Sequence, residues 1–340
     1  MERKEIVRRA IKFENPPRLP FFLGSSWSNK LSAVIKDFPN DVCDTWEMDR
    51  QEAGWFFDNP NSKDDWGCQW AGTEVKNMGQ VVKGPLEDWS KLSSFIPPNP
   101  KNPFYFARIE NEIKDAGDKY VVITSHFNIF ERLYMLHGFT NTLEDFYMEP
   151  EKIKKIIELI LEYKIEHITE AHKHFGDRIN GIFLTDDWGT QSNTFVSEDI
   201  FNEFFAEKYK ILYDTVHSFG WHAIQHSCGK INDFVPLFIK AGVDVMNMQQ
   251  PTAYGIEEIG KRFAGKICFL TTVDIQNTLP SENAELVRKE AKQLVENWST
   301  FKGGFIVFNY GDSEGLGTSD NIARIMFEEF YNLKDYWSKK

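Results

Sequence analysis

Strand and helix segments alternate through the C-terminal half of the chain, and polar residues gather where the apolar runs end. With a length of 340 residues, these observations predict an α/β fold: a closed TIM (β/α)8 barrel with elaborated N-terminal loops, one domain over 1–340. Alternation of this kind implies parallel strands with helical crossovers. An open doubly wound sheet also alternates, but it gathers only the residues beside its switch point. A barrel brings all its C-terminal strand ends to one place. The residues at those ends are Asp186 and Asp187, His226 and Cys228, Gln249 and Gln250, Asp274, and Asn309 with Asp312.

Each element has its own signal. Met1–Phe13 is a charged amphipathic helix with Ile6, Val7, Ala10 and Ile11 on one side, and Arg18–Gly24 reads as the first strand. Residues 38–118, rich in Trp, Asn, Pro and Asp, read as loops and short helices around the barrel mouth, with Ile96–Pro100 as a rigid connection. Val121–Ser125 is a strand. Pro150 falls at a first helical position, and Ile153, Ile156, Ile157 and Ile160 keep the helical i, i+3, i+4, i+7 spacing. Strands follow at Gly181–Asp187, His222–Cys228, Val243–Gln249, Ile267–Asp274 and Phe305–Asp312. The helices between them are Glu198–Ser218, Asn232–Lys240, Ile256–Phe263 and Ser281–Thr300. The first three are followed by Gly220, Gly242 and Gly265, a common helix stop. Asn321–Trp337 closes the chain.

Composition narrows the function. A net charge of −12, with no long basic run, argues against nucleic acid, which needs a clustered positive face. It also disfavours anionic membranes. No apolar run reaches the roughly 18 residues of a membrane span, and the first residues lack the apolar core of a signal peptide. Four widely spaced cysteines, 43, 68, 228 and 268, do not form a secreted disulfide framework. A cytoplasmic protein acting on a small molecule, as a monomer or homodimer, is expected. Aromatic residues make up 15% of the chain; they either fill a bulky core or line a pocket for an apolar or aromatic substrate.

The chemistry centres on Gln225-His226-Ser227-Cys228-Gly229. Alternate strand residues share a face, so His226 and Cys228 should project together. Both are zinc ligands, and zinc needs three or four. Asp312, Tyr310, Asp187 and Glu131 are candidate completions, while Cys43 and Cys68 in unassigned loops stay open. Cys268 starts its strand and so belongs to the far end. Asp186 and Asp187 suit acid–base work, metal ligation or a hydrogen bond to substrate; capping and loop-fixing are the alternatives, as they are for Asp274. His126, Glu131 and Arg132 follow the Val121–Ser125 strand, where Arg132 could grip a carboxylate or form a salt bridge. Asp65-Trp66-Gly67 reads as a loop anchor. Glycines around Asn309 leave room for a phosphate or carboxylate, but no nucleotide-binding glycine pattern occurs.

Five segments together resemble the uroporphyrinogen decarboxylase superfamily, most closely its corrinoid-dependent methyltransferase branch. They are Pro17-Arg18-Leu19-Pro20, Asp65-Trp66-Gly67, Thr185-Asp186-Asp187-Trp188-Gly189, His226-Ser227-Cys228-Gly229 and Gly303-Gly304-Phe305-Ile306. The resemblance implies a TIM barrel, zinc on His226 and Cys228, and a corrinoid carried by a partner protein. Two departures stand out. The arginines with which the decarboxylases grip substrate carboxylates are missing from Phe21–Trp27. The third cysteine of the zinc methyltransferases is missing near Asn309-Tyr310-Gly311, which makes Tyr310 and Asp312 the expected substitutes. Asp186, Asp187 and Asp274 are the expected catalytic carboxylates; Trp188, Glu131, Arg132, His126, Gln249 and Asn309 are expected to bind substrate.

The resemblance implies methyl transfer between a small, methylated or methoxylated substrate and a corrinoid protein or thiol. The rivals are a metal-free carboxy-lyase and a non-catalytic tetrapyrrole- or corrinoid-binding protein.

Overall fold

The structure is a computed structural model that describes residues 1–24, 32–47, 62–72, 79–311 and 315–339. Eight parallel strands form the central sheet: β1 (Phe21–Phe22), β2 (Val42–Glu47), β3 (Tyr120–Ser125), β4 (Gly181–Thr185), β5 (His222–His226), β6 (Val245–Asn247), β7 (Cys268–Thr271) and β8 (Phe305–Phe308). They pair in chain order from β2 to β8, and β8 pairs with β1. Asp41 draws the remaining gap together. Its N–H donates to the Phe21 carbonyl at 2.8 Å and its carboxylate accepts the Phe21 N–H at 2.9 Å. Arg18 holds that carboxylate with two bonds of 2.7 Å. The fold is an α/β TIM barrel.

The apolar residues separate into two cores. Inside the barrel, Phe22, Val122, Ile224, Val245, Leu270, Ile306 and Phe308 pack together with Val7, Ala10 and Ile11 of the helix Arg3–Lys12, which plugs the bottom. The Gly304 N–H bonds the Ala10 carbonyl at 2.8 Å and fixes the plug to the start of β8. Outside, the other faces of the strands meet the surrounding helices in one large cluster. With a side-chain period of 2, Ile224 inside the barrel puts His226 inside one layer higher. Val245 does the same for Asn247.

The sequence reading misses β2. Its residues Val-Cys-Asp-Thr-Trp-Glu carry no apolar run, and they lie in the stretch expected to be loops. That stretch also holds an antiparallel hairpin, Gln69–Ala71 with Gln80–Lys83. The predicted strands stop short: β4 ends at Thr185, β5 at His226, β6 at Asn247 and β7 at Thr271. The helix expected over Glu198–Ser218 is broken at Phe205 into Glu198–Phe204 and Ala206–Ser218. Pro150 opens the helix Pro150–Phe175 as its spacing predicts.

Candidate metal centre

His226 is the last residue of β5, and Cys228 lies beyond it in the turn. The expectation that strand alternation aligns the two is therefore corrected; the turn aligns them. Gly229 has φ +78°, a conformation that disfavours a side chain, and a Cβ there would strike the Gly189 backbone. With both positions glycine, the loops after β4 and β5 pack back to back, and the Lys230 N–H bonds the Thr190 carbonyl at 2.7 Å. The Cys228 N–H in turn donates to Asp187 Oδ1 at 2.7 Å.

The result is a cluster of three metal-binding side chains, Asp187, His226 and Cys228, the one such group of His, Cys, Asp and Glu among the described residues. His226 Nε2 lies 3.4 Å from Asp187 Oδ1 and 3.4 Å from Cys228 Sγ. A tetrahedral zinc ion with bonds of about 2.0–2.3 Å holds its donors roughly 3.3–3.6 Å apart. Both separations from His226 thus match zinc ligands, and the donor atoms of all three residues lie within 4.8 Å of one another. The Asp187 side chain is 35% exposed and that of His226 13%, so the site opens to the barrel mouth.

The tautomer of His226 is set by its neighbour. Asn247 Nδ2 donates to the Leu270 carbonyl at 2.9 Å, so Asn247 Oδ1 faces His226 Nδ1 at 2.7 Å. Gln249 Nε2 donates to the same oxygen at 2.7 Å. An oxygen acceptor requires the proton on Nδ1, leaving the Nε2 lone pair aimed at Asp187 and Cys228. Metal-binding histidines are oriented in this way by their second nitrogen.

Around the cluster the electrostatics are acidic. Burial pushes the Cys228 thiol well up, and Asp187 and Glu131 add to the shift. Burial, then Asp187 and Asp186, raise Glu131 well above the usual carboxylate range. Glu131 Oε2 is buried and without a partner. Carboxyl and thiol groups crowded together in this way are matched by a divalent cation.

The other expected residues divide sharply. The Asp186 carboxylate is buried away from the mouth. It accepts the N–H groups of Ile129, Phe130 and Glu131 at 2.8, 2.9 and 2.6 Å, and the Tyr209 hydroxyl bonds it as well. It anchors the start of the helix Phe130–His137 and thereby aims Glu131. Burial pushes its pKa up to about 6, against the pull of those donors. Asp274 fixes its own loop, accepting from the Thr252 N–H and hydroxyl and from the N–H groups of Gln276 and Asn277. Trp188 is fully buried, stacked on Phe130 at 4.3 Å, so its place is in the outer core and not against substrate. Arg132 pairs with Asp64 at 3.0 Å, between the rings of Trp66 and Phe127. Asp64 also holds the Cys68 N–H and the Trp70 indole, which makes the Asp65-Trp66-Gly67 segment a loop anchor.

His126 is buried, with its ring edge-on to Phe127 and its carbonyl bonded by Lys164 Nζ at 2.7 Å. Asn309 ties strand ends together through the Leu23 carbonyl and the Gly311 N–H, both at 3.2 Å. Tyr310 packs against the outer core and lines a cavity with Thr272, Leu279, Leu316 and Met326. Asp312 lies outside the described residues. Of the expected completions, Asp187 stands in the cluster with His226 and Cys228. Cys268 is buried in the lower barrel core, and Cys68 is bonded to the Met135 carbonyl. Sequence reading misses Asn247; a single Asn in an apolar run carries no signal of its own.

Parallel strands whose C-terminal ends carry a cluster of metal-type ligands define a TIM barrel with its candidate site where enzymes of this fold place theirs. The model of the family described as Uroporphyrinogen decarboxylase (URO-D) matches residues 68–326, and the chain belongs to that family. No curated protein matches the chain. Among solved structures, xylanase 10B from Thermotoga maritima is similar at 10% identity and TM-score 0.47, with 100% of each chain covered. The catalytic domain of the GH26 endo-β-1,4-mannanase from Bacillus sp. JAMB-750 is similar at 13% identity and TM-score 0.38, covering 78% of this chain and 83% of that one. Neither likeness bears on activity. No helix among the described residues is long and apolar enough to cross a membrane.

Proposed function

We propose that this member of the family is a zinc-dependent methyltransferase that moves a methyl group from a small methylated or methoxylated donor to a corrinoid protein or thiol. The observation that carries the reading is the donor spacing: Asp187 Oδ1 and Cys228 Sγ each lie 3.4 Å from His226 Nε2. A three-ligand protein set leaves a fourth position for substrate, as catalytic zinc sites do. Zinc bound there supplies Lewis acidity, polarising the heteroatom of a methyl donor or lowering the pKa of an acceptor thiol.

The protein's own groups prepare that chemistry. His226 keeps its proton on Nδ1 against Asn247 and offers Nε2 as a neutral ligand. Cys228 holds its proton until a cation takes the site, so metal binding releases a proton. Glu131, held protonated by burial and by Asp187, is the candidate general acid for the heteroatom left behind by the methyl group. An oxygen ligand in place of a second sulfur leaves more charge on the metal, which favours polarising an ether or amine. The partly buried Phe183 ring, stacked 6.1 Å from His226, gives the mouth an aromatic floor suited to a methoxylated ring.

Family membership also supports a metal-free carboxy-lyase, with the exposed Asp187 carboxylate stabilising a cationic intermediate. Two measurements separate the readings: the zinc content of the purified protein, and the absorbance change as cob(I)alamin is methylated. Methyl transfer predicts about one zinc per chain, with His226→Ala and Cys228→Ser losing both zinc and at least about a hundredfold in rate. A metal-free wild type together with an active His226→Ala variant contradicts it.

A further inference from the structure

Gln250 lies just beyond β6, and neither the ligand set nor the proposed acid uses it. It is buried, and its Oε1 accepts two hydrogen bonds, from the Gly229 N–H at 3.1 Å and from Gln191 Nε2 at 3.2 Å. Gly229 adjoins Cys228 in the loop after β5, and Gln191 lies on the loop after β4, which carries Asp187. One oxygen, reaching in from a third loop, therefore joins the two loops that hold the cluster. A backbone N–H can only donate, so the Gly229 contact fixes which end of the Gln250 amide faces it. The third loop is itself held. The Gln249 carbonyl accepts the Ile275 N–H at 3.2 Å, the Gln250 carbonyl accepts the Ala253 N–H at 3.0 Å, and the Thr252 N–H donates to Asp274 at 3.1 Å. Asp274 thus braces the segment from which Gln250 reaches across.

We propose that Gln250 is a positioning residue for the centre: its Oε1 sets the separation of Cys228 and Asp187 before a metal arrives. This rests on the reading of Asp187, His226 and Cys228 as a metal-binding centre. Two further contacts tie the same loops, the Cys228 N–H to Asp187 Oδ1 at 2.7 Å and the Lys230 N–H to the Thr190 carbonyl at 2.7 Å. The first of these ends on a ligand oxygen, which a bound ion would share. The two bonds to Gln250 end on groups that are not ligands, so that hold persists when the site fills. Donors set in place beforehand spare the ion the cost of ordering two loops, and groups outside the ligand set raise affinity in this way. Leucine at position 250 fills similar space but leaves the buried Gly229 N–H unpaired, whereas glutamate keeps an acceptor there.

Two measurements on the full chain test the clamp: amide hydrogen exchange in the peptide 225–231 of chelator-treated protein, and zinc affinity by competition with a chelating dye. Gln250→Leu is expected to speed exchange in that peptide at least about tenfold and to weaken zinc about 10–100-fold. Gln250→Glu is expected to return both to within about threefold of wild type. Gln191→Ala, at an exposed position, removes only the second bond and is expected to weaken zinc about threefold with Tm unchanged. Wild-type zinc affinity in Gln250→Leu or in Gln191→Ala overturns this assignment alone. So does a Gln250→Glu variant no better than Gln250→Leu, or exchange that quickens through the whole chain, which marks a general loss of stability. A wild type that takes up no zinc overturns the metal centre, and the assignment with it. Zinc affinities ranked as expected in a protein that transfers no methyl group count against the functional reading alone.

Discussion

At the scale of single residues, the site depends on groups that orient other groups. His226 can present Nε2 because Asn247 Oδ1 accepts a hydrogen bond from its Nδ1–H, and Asn247 can do so because its amide nitrogen is committed to the Leu270 carbonyl. Asn247→Leu is therefore expected to weaken zinc about 10–100-fold, read by competition with a chelating dye, with little change in fold. Unchanged affinity would mean that the hydrogen bond is incidental. His226 and Cys228 were legible because imidazole and thiol side chains two positions apart are chemically distinctive. Asn247 was not legible: its role exists only once β5 and β6 lie side by side and bring His226 opposite it. Glu131 is legible in the sequence as a residue that follows a strand, but its unpartnered oxygen and its acidic neighbours are properties of the folded chain.

At the scale of elements, loops after the strands do the positioning. Asp186 serves the helix Phe130–His137 as an anion at its N-terminus, a favourable placement against the helix dipole. Asp186→Asn should cost about 2–3 kcal/mol in denaturant unfolding, since charged hydrogen bonds to backbone donors are lost. Gly229→Ala should cost at least that much and lower zinc content, because the new Cβ drives apart the loops that carry Asp187 and Cys228. Glu290 holds the loop after β7, accepting the Asp274 N–H at 2.6 Å and the Thr278 hydroxyl at 2.5 Å. Burial pushes its carboxyl up to about 7 from an ordinary 4.5. The folded chain binds this proton more tightly than the unfolded chain, so stability falls as pH rises from about 4.5 through 7. The loss is about 3 kcal/mol. Glu290→Gln should flatten that part of the pH–stability curve, and an unaltered curve would contradict the assignment. Strand ends were the least legible feature here. Composition does not mark where the ladder stops, because residues such as Ser227 and Met248 remain buried and still bond neighbouring strands beyond it.

At the scale of the whole molecule, one end of the barrel is sealed and the other is chemical. The helix Arg3–Lys12 closes the bottom with Val7, Ala10 and Ile11. Ile11→Ala should lower stability by about 2–4 kcal/mol without changing zinc affinity; a loss of zinc in that variant would show the two ends to be coupled. The barrel itself was legible from its alternation and from the polar residues at its strand ends. Its second strand was hidden, because Asp44 and Glu47 break any apolar run. The central claim concerns the ligand set at the open end. A zinc-edge X-ray absorption spectrum of the purified protein measures that set directly. The predicted spectrum has one sulfur at about 2.3 Å, from Cys228, with the remaining nitrogen and oxygen neighbours at about 2.0–2.2 Å. Two or more sulfur neighbours, or no zinc after reconstitution with the metal, would contradict a centre built on Asp187, His226 and Cys228.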